Sequence, residues 1–140
     1  AQLKEIGIDM TVETLEWGAF LDGTARGDHD MFILGWVSVT GDADYGLYAL
    51  LHSSTFGGAG NRSFYSNPKV DELLTQARNS VDQEERKELY KQVQLIVQEE
   101  VPVYVTAYKA QNVALQKNIE NFKLKPAGHH RLYGVKFKTN

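Results

Sequence analysis

Apolar and polar positions follow two different periods along this chain. Ile8, Met10 and Val12 alternate with Asp9, Thr11 and Glu13, a period of two that predicts a half-buried strand. Thr14 is placed to cap a helix carrying Trp17, Phe20, Leu21 and Thr24 on one face, with Gly27 at its end. That stripe puts Trp17 in the core. Met31 to Trp36 is a continuous apolar run, which predicts a central strand covered on both faces. Strand, helix and strand with short connections form a βαβ unit, so parallel, right-handed pairing is expected.

The period then changes. Asp42 or Asp44 can cap a short helix through Tyr45, Leu47, Tyr48 and Leu51. His52 to Ser66 has no period and holds Gly57, Gly58 and Gly60; a loop this long inside a compact domain is usually functional or disordered. Asn67-Pro68 marks a helix start, an N-cap followed by proline in the first turn. Val70, Leu73, Leu74 and Ala77 form the buried stripe of that helix. Asp82 with Glu85 resembles a capping box for a further helix to about Glu100, with Leu89, Val93, Ile96 and Val97 inward and Pro102 as its stop. Val103 to Thr106 has strand propensity, and Gln111–Leu115 and Leu132–Phe137 are weaker strand candidates.

Composition narrows the function classes. With 140 residues, 42% hydrophobic, the chain is long enough for about one domain with a real core. Its 15 Lys and Arg against 18 Asp and Glu give a net charge of −3, which argues against a general nucleic-acid binder. Cysteine is absent, so there is no disulfide, thiolate metal site or cysteine nucleophile. No apolar run is long enough to cross a membrane as a helix. Ala1 to Ile6 reads as the last turns of a helix closed by Gly7, with no N-cap before it; the expectation is a chain cut within a helix from a longer protein.

Motifs of chemistry are sparse. G-x-S-x-G, S-x-x-K and H-E-x-x-H do not occur. The adjacent pair His129-His130 cannot share one helix face around zinc. Asp28-His29-Asp30 fits a solvated turn better than a metal site, and Gly58-Ala59-Gly60 lacks the third glycine and the preceding strand of a dinucleotide loop. Asn61-Arg62-Ser63 matches a glycosylation sequon, a frequent chance pattern. Trp36 is more telling. Ligands of open α/β sheets bind beyond the carboxyl ends of strands, and Trp36 stands at that end of the most apolar strand. It either lines a ligand site or caps the core. The carboxylate pair Asp42/Asp44 leaves open a small α/β enzyme as a rival class, and a structural interaction module is a further one.

Taken in order, Gly35-Trp36, Gly41-Asp42-Ala43-Asp44-Tyr45, Leu50-Leu51-His52-Ser53, and Gly60 to Pro68 with Asp71, Leu73-Leu74 and Ala77-Arg78 resemble the family 5 extracellular solute-binding proteins. Ala1 to Ile8, Leu15-Glu16-Trp17-Gly18 and Val101-Pro102-Val103-Tyr104 fit as well. The resemblance implies an α/β fold, a mostly parallel sheet flanked by helices, forming the C-terminal lobe of a two-lobed receptor. Residues 1–106 would be that lobe, and 107–140 a segment returning towards the hinge and an N-terminal lobe.

The function implied is capture of peptides outside the cytoplasmic membrane for import by an ABC transporter, without catalysis or cofactor. Glutathione or a nickel chelate is the alternative solute within the family. The implied partners are the solute, the permease subunits and the other lobe. The implied location is periplasmic or extracellular, with a lipid anchor as one arrangement. The implied ligand-binding residues are Trp36, Val37, Ser38, Val39, Thr40, Asp42 and Tyr45. Relatives that bind peptides often carry an Asp three residues past the Trp, to pair with the ligand's α-ammonium; Val39 stands there in this chain.

Overall fold

A computed structural model describes residues 2–138. The organised part is a three-helix core. Helices α3 (Ala43–Leu51), α4 (Pro68–Asn79) and α5 (Gln83–Glu100) follow a short α1 (Gln2–Glu5) and α2 (Trp17–Arg26). Leu51, Val70, Leu73, Leu74, Ala77, Tyr90 and Val93 are buried together between α3, α4 and α5. The stripe expected on α4 is therefore its buried face. On α5 Val93 is fully buried, while Leu89, Ile96 and Val97 pack at the margin.

The caps explain where these helices begin. Asn67 accepts from the N–H groups of Lys69 and Val70. Asp82 does the same for Glu84 and Glu85. The return half of the box is absent, because Ser80 Oγ donates to Glu85 and accepts from the Asp82 N–H instead. Helix α2 is capped by Glu16, whose carboxylate accepts from Gly18 and Ala19 at 2.7 and 3.2 Å. The cap expected at Thr14 is thus displaced by two residues, and Gly27 closes the helix with a left-handed φ of 84°.

The stretch from His52 to Ser66 is far more ordered than its glycines suggest. It forms two 3₁₀ turns, Ser53–Thr55 and Gly57–Ala59. Asn61 is fully buried at their centre. Its Nδ2 donates to the carbonyls of His52 and Tyr65, and its Oδ1 accepts from the Tyr65 N–H and Ser63 Oγ. One side chain therefore satisfies four backbone or hydroxyl groups that would otherwise be orphaned. The glycines serve close approach: a Cβ on Gly57 would meet Ala25 O at 2.5 Å, and one on Gly60 would meet Ala49 O at 2.3 Å. Arg62 reaches α2, donating to Leu21 O and Thr24 Oγ1. Tyr65 donates to Glu100; burial, and then that carboxylate, pushes its phenol up to about 12.

The strand expectations fare differently. Among the described residues the one sheet is a two-residue antiparallel ladder, β1 (Ile119–Glu120) with β2 (Lys136–Phe137). It uses the end of the Leu132–Phe137 candidate; Gln111–Leu115 and Val103–Thr106 are not strands. The expected parallel pair, 8–12 with 31–36, does not form among these residues. Phe32 and Leu34 are half-buried, but Met31 and Ile33 are exposed, Ile33 by 86%. Ile8, Met10 and Val12 are exposed too. Alternation reports a residue's preference for a pleated, half-covered surface; a ladder also needs a neighbouring backbone, and none of the described residues supplies it. Trp17 is corrected for a similar reason: it is 61% exposed and stacks on Phe20 instead of entering the core.

Two substitutions test this packing. Leu74→Ala, at a fully buried site, should lower unfolding stability by about 2–5 kcal/mol in urea denaturation. Gly60→Ala should cost more than about 1 kcal/mol, because both its φ of 145° and the Ala49 carbonyl oppose a side chain. An unchanged midpoint for Gly60→Ala would mean that the 57–61 turn is not held against α3.

Candidate functional site

The residues singled out by sequence fall on one segment, 36–45, running from the end of the apolar run into α3. Trp36 Nε1 donates to Tyr45 O at 3.1 Å, and the two rings lie 5.3 Å apart. Ser38 Oγ donates to Asp42 O at 3.1 Å. Thr40 Oγ1 accepts from the Asp42 N–H at 3.2 Å. Asp42 in turn accepts from the Asp44 N–H at 2.8 Å, capping α3. The segment is thus a closed turn with Trp36 and Tyr45 at its neck.

Two arginines fix this turn to the helical core. Arg86 of α5 donates to both oxygens of Asp42 at 2.7 Å and to Ala77 O at 2.6 Å. Arg78 of α4 makes a two-pronged contact with Asp44 at 2.8 and 2.9 Å. Its guanidinium also lies 3.2 Å from the centre of the Tyr48 ring, a cation–π contact. Tyr48 stacks on His52 at 4.2 Å. The backbone hydrogen bond from Asp44 and the Arg86 guanidinium hold the Asp42 carboxyl below its ordinary range. Asp44 in return raises the Arg78 guanidinium.

The Asp42/Asp44 carboxylates, on which the enzyme alternative rests, each hold an arginine. No three His, Asp or Glu side chains converge as metal ligands among the described residues. Asp28 pairs with Arg26 at 2.7 Å, and the half-buried His29 packs edge-on against Phe32, so Asp28-His29-Asp30 does not gather as a metal site.

What the segment leaves open is its main chain. The N–H and C=O groups of Val37, Ser38, Val39 and Thr40 have no hydrogen-bond partner among the described residues. Val37 and Val39 are exposed. Trp36, at 38% exposure, presents part of its indole beside them. The arginine clamp was not predicted from sequence. Its only local trace is the position of Arg78 and Arg86 on helices whose apolar stripes face α3.

Residues 1–58 match the bacterial extracellular solute-binding proteins, family 5, middle region. Di/tripeptide-binding protein 3 of Pseudomonas aeruginosa is 33% identical over 135 residues, covering 96% of this chain and 25% of that protein. Heme-binding protein A of Haemophilus influenzae is 32% identical over 135 residues, again 96% of this chain, and 24% of its own length. The crystal structure of a dipeptide-binding protein from Pseudoalteromonas sp. SM9913, in complex with Met-Leu, superposes with a TM-score of 0.84 at 31% identity, covering 97% of this chain and 27% of that one. The chain is similar in sequence to the family 5 extracellular solute-binding proteins over residues 1–58, and over nearly its whole length it shares the fold of a dipeptide-binding protein. It spans about a quarter of the length of these relatives.

The clamp yields a ranked prediction. Arg86 is 13% exposed and serves three acceptors, so Arg86→Ala should cost about 1.5–3 kcal/mol. Arg78 is 43% exposed, and Arg78→Ala should cost only about 0.2–1 kcal/mol. Because the folded-state value of Asp42 is lowered, its contribution is present above the ordinary carboxylate range, near pH ~4, and lost as pH falls through the folded value. Asp42→Asn should therefore flatten the loss of melting temperature below about pH 4. Equal costs for the two arginine variants would refute the ranking.

Proposed function

We propose that this chain forms part of the substrate-binding component of an ABC importer that captures short peptides outside the cytoplasmic membrane. The observation that carries the proposal is the pinned but unpaired backbone of residues 37–40 beside Trp36. An extended peptide can add to such an edge through main-chain hydrogen bonds, which tolerate many side chains. The clamp supports it by holding the edge in one conformation before the ligand arrives, which reduces the ordering cost of binding. The similarity to di/tripeptide-binding proteins and to a receptor solved with Met-Leu points to the same solute class.

In this reading Trp36, Val37, Ser38, Val39 and Thr40 meet the solute. Asp42 and Tyr45 position them: Arg86 holds the Asp42 carboxylate, and the Tyr45 carbonyl accepts from the Trp36 indole. Residues 1–106 act as one lobe, and 107–140 return towards a hinge with a second lobe that closes over the solute. The protein is periplasmic or held at the outer face of the membrane, a lipid anchor being one means. It delivers the solute to the permease subunits unchanged. Haem is a second reading, favoured by the 32% identity to heme-binding protein A.

Calorimetric titration of the full-length protein with di- and tripeptides, and separately with haemin followed by absorbance, distinguishes these readings. Micromolar binding of peptides, about −8 kcal/mol, with no haemin spectrum is the expected result. Trp36→Ala should weaken peptide binding by roughly tenfold or more, about 1.4 kcal/mol, while a haemin spectrum with no peptide heat would overturn the proposal.

A further inference from the structure

The charge of this chain is distributed unevenly. Residues 107–140 hold seven Lys and Arg and a single acid, Glu120, a formal +6; residues 1–106 hold eight Lys and Arg against seventeen Asp and Glu, a formal −9. The single acid is already engaged, facing Lys136 at 3.7 Å and Lys138 at 4.0 Å. The ladder of β1 with β2 closes the two ends of this basic excursion. Inside it, the Lys125 N–H donates to His130 Nδ1 at 3.2 Å, His130 packs edge-on against Phe122, and Gln111 Nε2 donates to Pro126 O at 2.9 Å. The loop is therefore tied down through its backbone while its cationic heads are left over.

Two of these cationic residues line a depression beside the candidate ligand segment. The depression, of about 380 Å³, is lined by Val39, Lys125, Ala127, His129 and Arg131. No acidic side chain lines it. Neither Lys125 nor Arg131 has an ion-pair partner among the described residues. Two like charges on one cavity repel each other until an anion sits between them. A guanidinium offers a planar fork that fits a carboxylate in two places. Val39 and Ala127 supply the apolar part of the lining. The same rim repels an ammonium group, and Val39 has no charge with which to attract one.

We propose that this depression is a carboxylate subsite, in which Lys125 and Arg131 receive an anionic carboxylate of the solute next to Val39. The carboxylate is either the terminal α-carboxylate of a short peptide or an acidic side chain. The proposal rests on the reading of residues 36–40 as the solute-facing edge and adds to it the charge that the solute presents there. The polarity is the reverse of that implied by an Asp three residues past the Trp, which would seat an α-ammonium.

The test uses the full-length protein, titrated calorimetrically with trialanine, trialanine amide, and the amidated peptides Ala-Glu-Ala and Ala-Gln-Ala. It compares the native chain with the double variant Lys125→Gln, Arg131→Gln, and with Lys117→Gln as a charge control outside the depression. Replacing the preferred carboxylate by an amide should weaken native binding tenfold or more, and weaken the double variant less than threefold. Lys117→Gln should behave as native. A loss on amidating trialanine identifies the α-carboxylate as the source; a gain of the Glu over the Gln peptide identifies a side chain.

Peptide binding that is indifferent to both carboxylates, or an effect that persists in the double variant, overturns the subsite and leaves the peptide reading standing. If no peptide binds, the peptide reading falls, and citrate becomes the probe, read from the NMR shifts of the His129 ring. A shift that disappears in the double variant sustains the subsite, and no shift at millimolar citrate overturns it. If the double variant melts early, Arg131→Gln alone is read by the same criteria.

Discussion

The pairing of Arg86 with Asp42 is the interaction on which the arrangement depends. Arg86 leaves α5 and binds the last carbonyls of α4 through Ala77 and the cap of α3 through Asp42. One side chain thereby joins three helices to the turn that follows Trp36. Its cost is low because Arg86 is mostly covered by the core while Asp42 keeps part of its hydration. A half-exposed carboxylate avoids the desolvation penalty that makes fully buried ion pairs a poor source of stability. The acid that caps α3 also anchors the ligand segment, so helix formation and site geometry are specified by one residue.

A second constraint shapes the other half of the chain. Segments 8–12 and 31–36 carry the alternation and the apolar run of strands, yet their apolar side chains face outward and no ladder joins them. Burying Met31, Ile33, Ile8, Met10 and Val12 against further secondary structure would recover a substantial hydrophobic gain, at about 25 cal/mol per Å² of apolar surface. The organised core is supplied by α3, α4 and α5.

Legibility in the sequence followed the range of the interaction. Helices α4 and α5 could be read because caps and 3.6-residue stripes are local, as Asn67, Pro68 and Asp82 illustrate. The strands could not be placed, because Ile33 and Met31 state a preference that only a distant backbone can satisfy. His52 to Ser66 shows only a long, glycine-bearing loop in sequence, since its order comes from the four hydrogen bonds of Asn61 and from the glycines pressed on Ala25 and Ala49. Neither leaves a periodic signal. At the site, Trp36 and the capping aspartates stood out in sequence, but the partners of Asp42 and Asp44, 44 and 34 residues further on, did not. The basic lining of the depression at Val39 was likewise hidden, since Lys125 and Arg131 lie far along the chain from Val39 and gain their meaning only through proximity.

The central claim is that the backbone of residues 37–40 is the edge on which the solute is read. A crystal structure of the full-length protein with its co-purified solute tests this most directly. The account predicts solute polar atoms within hydrogen-bonding distance, 2.7–3.2 Å, of main-chain N–H or C=O groups between Val37 and Thr40, with Asp42 still bound to Arg86. A solute seated elsewhere and touching none of these residues would contradict it.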